Sequence, residues 1–235
     1  MIGVWIALGI VLVLFGLYRL RKWRIRLARR GPNHYWSVGY QRSTDPFTWD
    51  PTTARVFGPD QAPDPVCSLA DPFLFQRNGD VYLFCEVAVG AKHGQQIGVS
   101  TLDRESDTWK FQGIVLEEPF HLSYPHVFEH DGQVYMIPES KQAKSVRLYR
   151  ATEFPHKWEL ERILVDGRKL VDSCVVPWQG KWYLFTTRKR WLLVYWADSL
   201  TGKFRLHPKS PVKWWNHARG AGGVIEYGGN LHRFA

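Results

Sequence analysis

The stretch SYPHVFEHDGQVYMIPES, residues 123 to 140, lies without a gap over ADPFLFQRNGDVYLFCEV, residues 70 to 87. A turn glycine marks the register and recurs at Gly79, Gly132, Gly180 and Gly229, at separations of 53, 48 and 49 residues. A period near fifty means that one small unit is stacked against its own copies, because a single unit cannot bury its apolar face alone. Each unit opens on an apolar strand (PFLFQ, HVFEH, CVVPW, GVIEY), turns at the glycine and returns in an aromatic-rich strand. Two further strands follow in each complete unit, for instance SVRLYRATEF before KWELERILVDG. Four antiparallel strands per period predict one propeller blade, and beyond the start of the chain no segment has a helical period.

The expected fold is therefore all-β, a five-bladed β-propeller type. Three blades are complete, at about 66–118, 119–167 and 168–212, and a partial one covers 217–235. Three and a half blades leave an open sheet edge, a hazard for any β protein. The sequence is thus read as a shortened propeller over residues 31–235, or as one whose wall a partner completes. WSVGYQRS, residues 36 to 43, has strand character and suits the closing strand of a last blade.

The start of the chain differs. Ile2 to Tyr18 carry no charge over seventeen positions, enough for a helix of roughly 25 Å that just crosses a hydrocarbon core. Arg19 to Arg30 then hold seven basic residues and no acid. Residues 1–30 are read as an uncleaved single-pass anchor with a basic juxtamembrane segment that meets anionic headgroups, rather than a signal peptide. The charge asymmetry places the globular part in the cytoplasm. Without those seven cations, 24 basic residues face 22 acids, so the net charge of +9 for the whole chain falls to +2 and nucleic acid is not an expected partner. Cys67, Cys85 and Cys174 show no metal-pair spacing and, being three, form no complete disulfide framework.

Placed in register, Asp71, Tyr124, Asp172 and Ala221 share the position eight residues before the turn glycine, and Glu86, Glu139 and Thr187 the position seven after it. Both positions fall at the end of the hairpin remote from the turn, so all should ring one mouth of an axial funnel. Converging carboxylates repel one another and lose hydration, which raises some of their pKa values and separates an acid from a base. Asp71 is the candidate base and Glu139 or Asp172 the candidate acid of a glycosidase-like pair. The alternative for these acids is structural, as staples that accept backbone N–H bonds or pair with arginines between blades. His121 and His126 flank LSYP and join Glu86 and Tyr124 as candidate substrate-binding residues, and no metal or other cofactor is expected. KWWNHAR, residues 213 to 219, adds Trp215 as a stacking surface for sugar rings, with His217 and Arg219 beside it.

ADPFLF, EPFHLSYPHVFEHDGQVYMIPES, VRLYRATEFPHKW, LVDS and GKWYLFTT resemble the N-terminal domain of the glucosamine inositolphosphorylceramide transferase family, itself similar to the five-bladed propellers of glycoside hydrolase family 43. The resemblance implies that Asp71 matches the first-blade general base. It also implies that Tyr124 replaces a second-blade aspartate that tunes the acid, and that the third-blade general acid falls near Asp172 or Thr187. In the plant transferases this domain precedes a separate glycosyltransferase domain. Two functions are thus expected to compete. One is a membrane-anchored carbohydrate-active propeller that acts on a glycan or glycolipid head group. The other is a non-catalytic glycan-binding or scaffold module that serves a glycosyltransferase partner. Direct glycosyl transfer lacks a nucleotide-binding Gly-rich loop or an Asp-x-Asp motif in this sequence.

Overall fold

The computed structural model describes residues 36–235 except 46, 64, 91–94 and 216. Its strands run in chain order: β1 Val38–Tyr40, β2 Arg55–Phe57, β3 Val66–Arg77, β4 Asp80–Val89, β5 Gln95–Asp103 and β6 Thr108–Leu116. They continue with β7 Ser123–His130, β8 Gln133–Glu139, β9 Val146–Glu153, β10 Lys157–Val165, β11 Val171–Trp178 and β12 Lys181–Arg188. The last are β13 Trp191–Ala197, β14 Arg205–Leu206, β15 Lys213–Trp214, β16 Val224–Tyr227 and β17 Asn230–Arg233. The described helices are two single 3₁₀ turns, Pro59–Gln61 and Lys141–Ala143. Among the described residues no helix is long and apolar enough to cross a membrane. The expected anchor, Ile2 to Tyr18 with Arg19 to Arg30, lies outside them.

Three antiparallel sheets form in sequence order, β3 to β6, β7 to β10 and β11 to β14, with β15 added on β13, and the β16–β17 hairpin follows. The repeat glycine closes the first hairpin of each unit. Asn78–Gly79, Asp131–Gly132, Gln179–Gly180 and Gly228–Gly229 all have positive φ at both residues. That is the type I′ signature, whose twist matches that of the strands it joins. The opening strands pack on one another, β3 against β7, β7 against β11 and β11 against β16, so they are the innermost strands of sheets arranged as blades.

Apolar faces close the gaps between sheets. Phe84, Ile97, Leu122, Met136, Tyr149 and Trp158 fill the first interface, and Ile137, Leu148, Leu170, Val175, Trp182 and Leu184 the second. Each such side chain contributes about 1.5–3 kcal/mol by leaving water, which makes these interfaces the main stabilising layers.

The expected open edge is partly covered. Rather than closing a last blade, β1 pairs with β2, and the pair packs Val38 and Phe57 on the outer face of the first sheet, against Leu69, Leu83, Cys85 and Trp109. The loop between them brings Phe47 to 5.2 Å from Tyr227 and 5.9 Å from Phe234, measured between ring centroids. One short segment therefore touches both the first sheet and the last hairpin. The strand character of residues 36 to 43 is legible, but two three-residue strands carry too little periodicity to disclose their pairing.

Candidate functional site

The site arises from a defect repeated three times. In the first sheet Ala70 pairs with Glu86 and Phe73 with Phe84, so Asp71 and Pro72 together oppose Cys85. Ser123 with Glu139 and His126 with Ile137 leave Tyr124 and Pro125 opposite Pro138. Val171 with Thr187 and Cys174 with Phe185 leave Asp172 and Ser173 opposite Thr186. Each is a β-bulge, two residues against one, which re-aims a side chain at a strand end. Asp71, Tyr124 and Asp172 accordingly have φ of 48°, 48° and 51°. Left-handed backbone at a non-glycine residue costs on the order of 1–3 kcal/mol and survives only where its surroundings impose it.

The bulges place Asp71, Tyr124 and Asp172 on a cavity of about 460 Å³, together with Arg219 and Gly222. Asp71 and Glu86 share a hydrogen bond, and the Tyr124 backbone N–H donates to Asp71. The Asp172 N–H donates to Glu139 Oε2 at 3.3 Å, across the gap between the second and third sheets. Arg219 Nε lies 2.5 Å from Asp172 Oδ2, with the carboxylate only 2% exposed and the guanidinium 73% exposed. Arg219 is the ion-pair partner of Asp172 alone. Among the described residues, Asp71, Glu86 and Glu139 have no ion pair.

That imbalance sets the electrostatics. Burial, then the neighbouring Asp71 and Glu139 charges, push Glu86 up to about 8. Burial and the Asp172 charge push Glu139 up to about 7. Asp71 is raised by burial and by Asp172, while Arg219 and the hydrogen bond from Glu86 pull it back. Near neutral pH the cluster thus holds a carboxyl that can donate a proton beside a carboxylate that can accept one.

The other expected residues divide. His121 is half-buried at the cluster, where burial lowers its pKa against the opposing pull of Asp71. Tyr124 is buried with its ring edge-on to Phe73. Its hydroxyl donates to the Gly222 carbonyl at 2.6 Å and accepts the Gly222 N–H at 2.9 Å. His126 is not at the mouth. Past the bulge it lies within the paired strand, stacked on Phe128 with Nε2 3.0 Å from the Val175 carbonyl, and full burial pushes its pKa down to about 4. Trp215 is exposed but carries the Arg190 guanidinium 3.8 Å from its ring centroid. His217 uses its backbone carbonyl to accept from Arg233, whose second nitrogen reaches Ala218. Among the described residues no group of three His, Cys, Asp or Glu could hold a metal ion, and all three cysteines are free thiols.

Tyr124→Phe should release the β16–β17 hairpin. The variant loses both bonds to the half-buried Gly222 backbone, at a cost of about 1 kcal/mol or more. Amide exchange across residues 224–233 should accelerate with little change in β7 to β10; unchanged exchange there would contradict the tie.

Fold and cluster define a class, an all-β protein of bladed sheets shared with known glycoside hydrolases. A family 117 glycoside hydrolase, Zg3597 from Zobellia galactanivorans, superposes with TM-score 0.52 at 19% identity, over 63% of this chain and 58% of that one. The α-L-arabinanase of Cellvibrio cellulosa, solved with arabinohexaose, superposes with TM-score 0.53 at 17% identity, over 74% and 71%. The chain belongs to the family described as glucosamine inositolphosphorylceramide transferase 1, N-terminal, which matches residues 53–235. The glucosamine inositolphosphorylceramide transferase 1 of Oryza sativa subsp. japonica is 35% identical over 176 residues, 70% of this chain and 24% of that protein. Its namesake in Arabidopsis thaliana is 32% identical over 227 residues, 84% and 30%. The chain thus spans a quarter to a third of the length of these relatives.

Proposed function

We propose that this protein is a membrane-anchored carbohydrate-active domain that holds a glycan or glycolipid head group over the carboxylate cluster and cleaves a glycosidic bond there. The observation that carries this reading is that, of the four clustered acids, Asp172 alone has an ion pair among the described residues. Staples between blades need a cation or several N–H donors each, and here one carboxylate of four has the cation.

Asp172 already has a cation, so Glu139 is the proton donor and Asp172 with Arg219 a fixed pair that positions it. Asp71 is the base, its ionised form favoured by Arg219, the Tyr124 N–H and the hydrogen bond from Glu86 against burial and the Asp172 charge. In the step, Asp71 takes a proton from water as that water's oxygen bonds to the anomeric carbon. The carbon–oxygen bond to the leaving group breaks, and Glu139 protonates the departing oxygen. Atoms and charge balance, with one water consumed. His121, beside Asp71, and Glu86 face the bound sugar.

Ile2 to Tyr18 is the anchor and Arg19 to Arg30 its headgroup contact, which puts the site on the cytoplasmic side. A second reading, glycan binding without cleavage in the service of a transferase partner, is favoured by the Asp172 N–H bond to Glu139, a feature of a staple. Asp71→Asn separates the two. Hydrolysis of aryl glycosides by the full chain should drop about a hundredfold or more, while oligosaccharide binding by affinity electrophoresis persists. Undiminished turnover in Asp71→Asn would end the catalytic part.

A further inference from the structure

A second cavity, of about 540 Å³, adjoins the first, and Arg219 and Glu139 line it. Three connections form its walls. The β8–β9 loop brings Lys141 and Lys144, the β10–β11 loop Arg168 and Lys169, and the β12–β13 turn Arg188 and Lys189. Among the described residues these six cations have no ion pair, whereas Arg219 beside them is paired with Asp172. Glu139 is the only acid among the lining residues.

The walls are tied rather than loose. The Arg168 N–H donates to the Lys144 carbonyl at 2.7 Å, locking two of the connections together. Ser140 Oγ donates to the Ser145 carbonyl at 2.7 Å and closes the base of the first loop. Lys144 and Lys189 sit in left-handed backbone, with φ of 56° and 59°. Holding six like charges around one cleft opposes folding, and an anion that enters the cleft relieves the repulsion. Compact ammonium groups with guanidinium forks suit the oxygens of a phosphate ester.

We propose that this cleft is a phosphate-ester site that holds the phosphate of a phosphorylated sugar or polyol while the attached ring lies over the carboxylate cluster. The inference rests on the carbohydrate reading above for the ring, but the phosphate contact stands by itself. A nucleic-acid strand fits less well, since the cations enclose one pocket instead of tracking along a groove.

Calorimetric titration of the full chain tests it with inorganic phosphate, glucose 6-phosphate and glucose. Glucose 6-phosphate should bind at least about tenfold more tightly than glucose, the size expected for one or more charge-assisted contacts, and more weakly as salt is added. Lys144→Gln with Lys189→Gln should remove that advantage, and Lys203→Gln with Lys209→Gln, exposed and outside the cleft, should keep it. Neutral vesicles doped with phosphatidylinositol distinguish a lipid source from a soluble one by the same pair of variants. Equal affinity for glucose and glucose 6-phosphate, equal phosphate binding by the two double variants, or tighter binding of a single-stranded oligonucleotide would each overturn the proposal. The two readings fail separately. Phosphate bound at the cleft without any glycan turnover sinks the catalytic reading alone, and glycan turnover without phosphate binding sinks this one alone.

Discussion

Between pH 6.5 and 8.5 the folded chain should lose about 3 kcal/mol of stability, and Glu86→Gln with Glu139→Gln should abolish that loss. Glu86 and Glu139 have folded pKa values of about 8 and about 7 against an ordinary 4.5. Over this window the folded state holds protons that the unfolded chain has released, so stability falls as pH rises. At about 1.4 kcal/mol per pH unit and carboxyl, most of the change above pH 6.5 comes from Glu86. Buried His126 acts with the opposite sign. Its folded pKa of about 4 lies below the ordinary 6.5, so it adds stability as pH rises to 6.5 and nothing beyond. His121 is lowered in the same direction. The buried thiols enter only near pH 9, where the unfolded chain would ionise first. Above pH 6.5 the histidines no longer offset the carboxyl groups, which makes pH 6.5 to 8.5 the window in which the loss is read. Urea midpoints for the native sequence and the double variant at pH 6.5, 7.5 and 8.5 check this directly. If the carboxyl groups were staples, the glutamine pair would instead destabilise the fold at every pH.

Glu139→Gln should lower kcat/KM for glycoside hydrolysis by about 10²- to 10⁴-fold, the usual worth of a positioned general acid. Glutamine keeps the shape and can still accept the Asp172 N–H, so the fold should survive intact. On the proposed hydrolytic reading the unsubstituted chain should show an alkaline limb, since Glu139 must carry its proton and is pushed up only to about 7. That limb should vanish in the variant, and leaving groups that need no protonation should recover most of the lost rate. Retention of the limb in Glu139→Gln would move the acid elsewhere, to Glu86 in the first instance.

Much of this architecture is visible in the letters. The four turn glycines disclose the repeat because a type I′ turn demands left-handed backbone that few residues adopt cheaply. Register then predicts that Asp71, Glu86, Glu139 and Asp172 meet, since a bulge copied three times keeps its offset from the turn. Other features depend on distance across the axis, where register says nothing. Arg219 reaches Asp172 from a loop 47 residues further along the chain. His126 looks equivalent to His121 in HLSYPH, yet the bulge between them sends one to the mouth and the other into the packing. The cationic cleft had a faint signal in KQAK, GRK and RKR, three basic clusters at corresponding ends of neighbouring blades. Nothing local in them shows that the three loops face one cavity.

Proton donation at the cluster depends on carboxyl groups whose burial and mutual repulsion outweigh the cations near them. Carbon-detected NMR of the side-chain carboxyls through a pH titration observes that condition with no substrate needed. Two glutamates should titrate with apparent midpoints near 8 and 7, and both signals should disappear in Glu86→Gln with Glu139→Gln. Glutamate carboxyls that all titrate below about pH 5, the range of solvated side chains, would contradict it.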